Sequence, residues 1–150
     1  MRRFEWRLQK LLDLKIKQEE ALRAELIAVT EQAVGLRGHI LMERALLRQR
    51  LSETERMPAA GRMARQEFVL QFSQVTETAI REMDRKLELL ELVRRNKIQE
   101  ILTVRRFRKG LEKLQTRAQE EFELDQQRQD QKQTDDRNTI GFARRMMQPL

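Results

Sequence analysis

The chain of 150 residues contains no cysteine, no tyrosine, one histidine, two prolines and five glycines. Without cysteine there is no disulfide framework, no thiolate nucleophile and no cysteine-ligated zinc. A lone histidine, His39, excludes a histidine-based triad and a multi-histidine metal site. Between Gly38 and Ile40 it reads as a structural or solvated side chain. The glycines are isolated, so no loop is built to cradle phosphate. Aromatic residues make up only 5% of the chain, which is wrong for a sandwich, a barrel or an α/β enzyme. Long apolar runs are missing too. Ile40-Leu41-Met42 and Phe68-Val69-Leu70 are three residues each and Leu26-Ile27-Ala28-Val29 is four, all far short of a membrane span. No apolar stretch follows the charged N-terminus, so it does not read as a secretory signal. A cytoplasmic, non-enzymatic protein without cofactor or metal is the expectation.

Charge fills the space those residues leave. Asp, Glu, Lys and Arg account for 37% of the chain, and the formal net charge is +7. The segment Arg94 to Lys113 holds eight bases and two acids, whereas Arg117 to Asp136 holds seven acids and three bases. A sign switch along one helix suits patterned docking of a protein better than a uniform polyphosphate track. The best nucleic-acid candidate, Val104-Arg105-Arg106-Phe107-Arg108-Lys109, offers one aromatic where stacking platforms use several; no nucleic-acid partner is expected. The paired acids Glu19-Glu20, Glu120-Glu121 and Asp135-Asp136 diverge by about 100° on a helix, so each pair splays and does not chelate.

The dominant feature is the stretch from about Met63 to about Ile140, without proline and with one interior glycine, Gly110. Apolar residues return at Phe68, Phe72, Val75, Ala79, Met83, Leu87, Leu90, Ile101, Val104 and Leu111. Steps of three and four sustained this long predict a coiled coil, on the order of 115 Å if straight. Ahead of it, Phe4, Leu8, Leu11, Leu12, Leu22, Leu26, Val29, Ala33, Leu36, Ile40 and Leu47 form a second stripe. From Leu22 its steps alternate four and three, the spacing of a left-handed seam. Lys15 and Glu19 fall on that seam, where packing is expected to be polar. Gly35 and Gly38 interrupt an otherwise good helix at roughly 1 kcal/mol each; they mark a bend, a close backbone approach, or tolerated positions.

Met57-Pro58-Ala59-Ala60-Gly61 brings both helix breakers together. A short break between two amphipathic helices folds them back antiparallel. The expectation is all-α: two long helices in an antiparallel coiled-coil hairpin, with the second longer than the first. As a single domain over 1–150, it would have its first helix at about 3–56, the turn at about 57–62, the second helix at about 63–140 and a tail at 141–150. Folding about residue 59 sets Phe4 opposite a residue near 114, with roughly 25 residues of the second helix beyond it. Past Phe122 that overhang has almost no apolar face. A helix polar all round bridges solvent, binds a partner or does not form stably.

Three stretches together resemble the FliJ family, flagellar members of the type III export apparatus related to YscO-type virulence proteins. They are the opening Phe4-Glu5-Trp6-Arg7-Leu8-Gln9-Lys10-Leu11-Leu12-Asp13-Leu14-Lys15 with Glu19-Glu20, the segment from Phe72 through Thr76 to Ala79-Ile80, and Arg128-Gln129-Asp130-Gln131-Lys132-Gln133-Thr134-Asp135-Asp136. The resemblance implies a non-catalytic antiparallel coiled coil similar to the gamma stalk of rotary ATP synthases. It further implies binding to a FliI-like hexameric export ATPase, to a FlhA-like export gate protein and to export chaperones, with the membrane reached only through the gate. On this resemblance Phe72, Thr76, Ala79 and Met83 face the gate. Arg128, Asp130, Gln131, Lys132, Asp135 and Asp136 belong to the ATPase-facing end. The alternative is a homo-oligomeric structural coiled coil without an ATPase partner.

Overall fold

A computed structural model describes residues 2–148. Two helices make up the architecture, α1 (Gln9–Glu55) and α2 (Ala59–Met147), the second the longer at 89 residues against 47. They are joined by the break at Arg56-Met57-Pro58. Pro58 disfavours helical geometry in Met57 and so ends α1. The amide of Met57 donates to the Thr54 carbonyl at 3.2 Å, and that of Gly61 to Pro58 at 3.3 Å. Arg62 donates from its guanidinium to the Glu55 carbonyl at 3.4 Å, meeting one of the carbonyls that a helix end leaves open.

The break is therefore tighter than the sequence suggests. Gly61 lies inside α2, and no glycine has a positive φ among the described residues. Gly141, expected as a stop, is also helical, and α2 continues to Met147 with Arg144 and Arg145 in its last turn. Those bases oppose the negative end of the helix dipole. A glycine ends a helix by turning left-handed, and this one does not. At the other end the first helix starts at Gln9, six residues later than expected, because residues 2–6 are not helical.

The chain divides into two compact units, Glu19–Thr103 and Met1–Gln18 with Val104–Leu150. In the first, the antiparallel register is marked by cross-helix pairs. Arg65 meets Glu53, Arg50 lies over the Phe72 ring, Arg44 meets Asp84, Arg37 meets Glu91, and Lys97 meets Glu25 at 2.6 Å. The buried residues here are Glu19, Ala33, Ile40 and Thr54 on α1 with Val69, Thr76, Ile80 and Ile101 on α2. The α1 stripe from Leu22 to Leu47 faces inward as its spacing predicts.

On α2 the seam near the break runs through Val69 and Thr76, whereas Phe68 and Val75, expected there, are exposed. Stepping back from Ile80 by four, three or four reaches Thr76, Phe72 or Ser73, and Val69. The heptad is set by neighbours that are themselves locked against α1, and one threonine does not break it.

The second unit pairs the N-terminal segment with the later part of α2. Gln115 donates to Gln9 at 2.7 Å, Lys15 lies 4.8 Å from the Phe107 ring centroid, and the Phe4 and Phe122 rings meet at 5.5 Å. Leu12, Val104 and Leu111 are buried here. Phe4 thus lies against Phe122 and not near residue 114. Most of that offset is already present at Gln9, which meets Gln115 where folding about residue 59 would set a residue near 109, and two further residues are gained between Gln9 and Phe4. Those two follow from the non-helical course of residues 2–6, because chain outside a helix covers more length per residue than the roughly 1.5 Å of a helix.

Candidate functional site

Two segments carry the expected binding residues, and the fold treats them differently. Beyond Phe122, α2 continues for 25 residues, and every residue from Gln127 to Ile140 is exposed. Its order is local. The hydroxyls of Thr134 and Thr139 donate to the carbonyls of Asp130 and Asp135, each at 2.9 Å, and Arg128 lies 4.0 Å from Asp125. Such exposed pairs contribute little stability. Steps of three and four place Arg128, Gln131, Lys132 and Asp135 on one face, with Asp136 beside them and Asp130 on the opposite side. The helix therefore gathers five of the six expected ATPase-facing residues into one strip, with its bases ahead of its acids. No cross-helix pair reaches this strip among the described residues, so its charges are open to a partner.

The expected gate-facing residues Phe72, Thr76, Ala79 and Met83 also share a face, at steps of four, three and four, but it is the inner one. Thr76 is buried at 4% exposure, and the other three are half-buried. The Phe72 ring stacks against Phe68 with 6.5 Å between centroids and carries the Arg50 guanidinium 4.3 Å above it. Ala79 reaches the edge, where it lines a shallow groove with Val75, Thr78 and Glu82. These four residues are thus first of all hairpin packing, with Ala79 also lining that groove.

The polar interruption expected at Lys15 and Glu19 is present. Glu19 is buried at 4% exposure, and its carboxylate accepts from Arg23 at 2.9 Å. Farther along, Arg94, Lys97 and Arg108 occupy half-buried seam positions and reach Glu91, Glu25 and Glu112. The hydrogen bond from Lys97 to Glu25, helped by the nearby Glu100 and opposed by partial burial, raises the Lys97 ammonium above its ordinary 10.5.

Sequence reasoning missed the length of the C-terminal helix. Phe142, Met146 and Met147 are helical and exposed, within the expected tail at 141–150. These apolar residues were the signal, and Gly141 obscured it. Among the described residues no group of three or more His, Asp or Glu side chains is arranged to hold a metal ion. None of the helices is long and apolar enough to cross a membrane.

Compared with family models, the chain matches the one described as flagellar FliJ protein, over residues 4–147. Neither the curated proteins nor the solved structures include a significant match.

Proposed function

From the premise that the chain belongs to the FliJ family, and so is a component of flagellar export, we propose that it acts as a non-catalytic stalk and chaperone escort. In this reading it binds the hexameric export ATPase and promotes its assembly, and it contacts the export gate and empty export chaperones. It works on the cytoplasmic side of the inner membrane, peripheral to it through the gate alone.

The observation that carries the reading is the polar extension of α2. Fourteen consecutive exposed residues, Gln127 to Ile140, keep a helical course without a neighbouring element to cover them. A helix polar all round has no reason to persist unless it bridges solvent or meets a partner. The strip of Arg128, Gln131, Lys132, Asp135 and Asp136 then serves as the ATPase-facing surface, with Asp130 on the reverse. The family resemblance supports Phe72, Thr76, Ala79 and Met83 as gate-facing residues. Their inward placement gives this contact a condition: the gate reads the groove at Ala79 together with the order that the other three impose.

The deciding experiment is ATP hydrolysis by the cognate export ATPase with and without this protein. Stimulation at amounts well below one per ATPase subunit is expected, because one stalk acts on a whole ring. Absence of both stimulation and co-sedimentation would exclude the reading. A structural homo-oligomer with no ATPase partner gives that negative result.

A further inference from the structure

The inner stripe of α1 does not exhaust its apolar residues. A second series, Glu20, Ala24, Ile27, Glu31, Val34, Gly38, Leu41, Ala45 and Arg48, also advances in alternating steps of four and three. It is offset from the inner stripe by two residues, about 200° around the helix, and thus lies on the opposite side. All nine are exposed; Ile27, Val34 and Leu41 are 59%, 60% and 62% accessible. A regular heptad seam on a face that nothing covers predicts a further helix.

The glycines support this. A Cβ added at Gly35 or Gly38 would meet nothing within 4 Å, and neither has a positive φ. The folded chain therefore has no steric need for either one. Gly38 lies on the outer seam itself, where a helix arriving from outside gains a close approach, whereas Gly35 lies at its flank and lines a groove with Leu89, Leu90 and Val93 of α2.

The order of residues along the seam identifies that helix. Laid antiparallel on itself about Val34, the seam pairs Glu20 with Arg48, Ala24 with Ala45, Ile27 with Leu41, Glu31 with Gly38, and Val34 with its own copy. Opposite charges meet at both ends, medium apolar side chains meet in the middle, and Glu31 lies over the residue without a side chain. Neither Glu20 nor Arg48 takes part in an ion pair within the described residues. Parallel pairing would instead set Glu20, Glu31 and Arg48 each against its like. We propose that the chain forms a two-fold symmetric dimer with a second copy of itself through the outer face of α1, antiparallel about Val34. A two-fold axis of this kind makes every contact twice. The seam is about 42 Å long, so a strip of helix contact falls below the roughly 800 Å² per partner of a standard interface. The dimer is accordingly weak and reversible, with dissociation in the micromolar range or above.

Sedimentation of the full chain from low to high micromolar concentration tests the proposal independently of any ATPase. A monomer–dimer equilibrium is expected, abolished by Val34→Asp with unchanged helical content. Glu20→Arg and Arg48→Glu should each weaken it, and the two together should restore it. Because the chain lacks cysteine, geometry can be read directly. Val34→Cys should oxidise to a covalent dimer much faster than Leu41→Cys, which is equally exposed but faces Ile27 across the axis. A monomer at all concentrations, a dimer indifferent to Val34→Asp, or equal oxidation rates would each overturn it. So would a monomer whose seam is taken up by a helix of another protein.

Discussion

The rings of Phe4 and Phe122 meet at 5.5 Å between centroids, inclined by 58°. This contact ties a non-helical N-terminal segment to α2 and marks where α2 begins to run uncovered. Offset or tilted aromatic pairs contribute about 0.5–1.5 kcal/mol beyond the area they bury. Both rings are half-buried, so Phe4→Ala or Phe122→Ala should lower stability by about 1–2 kcal/mol. A double-mutant cycle should recover the aromatic coupling. Trypsin should also cut at Arg2, Arg3 and Arg7 faster in either variant, since the ring contact holds that segment down.

Truncation after Phe122 removes 25 of the 89 residues of α2. The lost residues are almost all exposed, so helical signal should fall in proportion while the thermal midpoint changes little. Stimulation of the export ATPase should disappear. Reversing the strip's charges with Lys132→Glu and Asp135→Lys in the full-length chain should weaken stimulation without shortening the helix. If stimulation survives truncation, the docking surface lies nearer the paired helices.

Periodicity made most of this architecture legible before any coordinates. Leu22, Leu26, Val29, Ala33, Leu36, Ile40 and Leu47 all turn inward because theirs is the more apolar of the two regular seams on α1. Two kinds of feature escaped. At Phe68/Val69 and Val75/Thr76, adjacent residues offer two possible seams. Hydrophobicity alone favours Phe68 and Val75, whereas register carried from Ile80 favours the buried pair. At Gly61 and Gly141 the roughly 1 kcal/mol penalty of a glycine is too small to end a long cooperative helix. The candidate binding strip was legible as composition, but its arrangement on one face required α2 to remain helical through Asp136.

Thr76 and Val75 are neighbours with opposite fates, at 4% and 70% exposure. Thr76→Asp would bury a carboxylate against α1, at a cost of several kcal/mol unless the helices part. Val75→Asp should change stability by no more than about 0.5 kcal/mol, as surface substitutions do. Gate binding can be separated from packing by comparing Thr76 with Ala79. Loss of gate binding in Thr76→Asp with loss of thermal stability marks a packing effect. Loss in Ala79→Asp at a nearly unchanged midpoint marks a direct contact.

Lys97 ties α2 to α1 through Glu25 at 2.6 Å, and that hydrogen bond raises its ammonium above the ordinary 10.5. A raised folded-state value means that the folded protein holds this proton more tightly than the unfolded chain does. The stability it contributes is therefore fully present below pH 10.5 and is lost as pH climbs through the raised folded-state value. Other lysines titrate in the same range, so the informative quantity is a difference. Urea midpoints of the wild-type chain and of Lys97→Met should differ by a constant amount from neutral pH to about pH 10. The gap should then close at higher pH as the wild-type chain loses the charged bond. Because the pair is partly exposed, added salt should narrow the gap at neutral pH as well. A gap that stays constant through the alkaline range would show that Lys97 acts through the packing of its aliphatic stem and not through its charge.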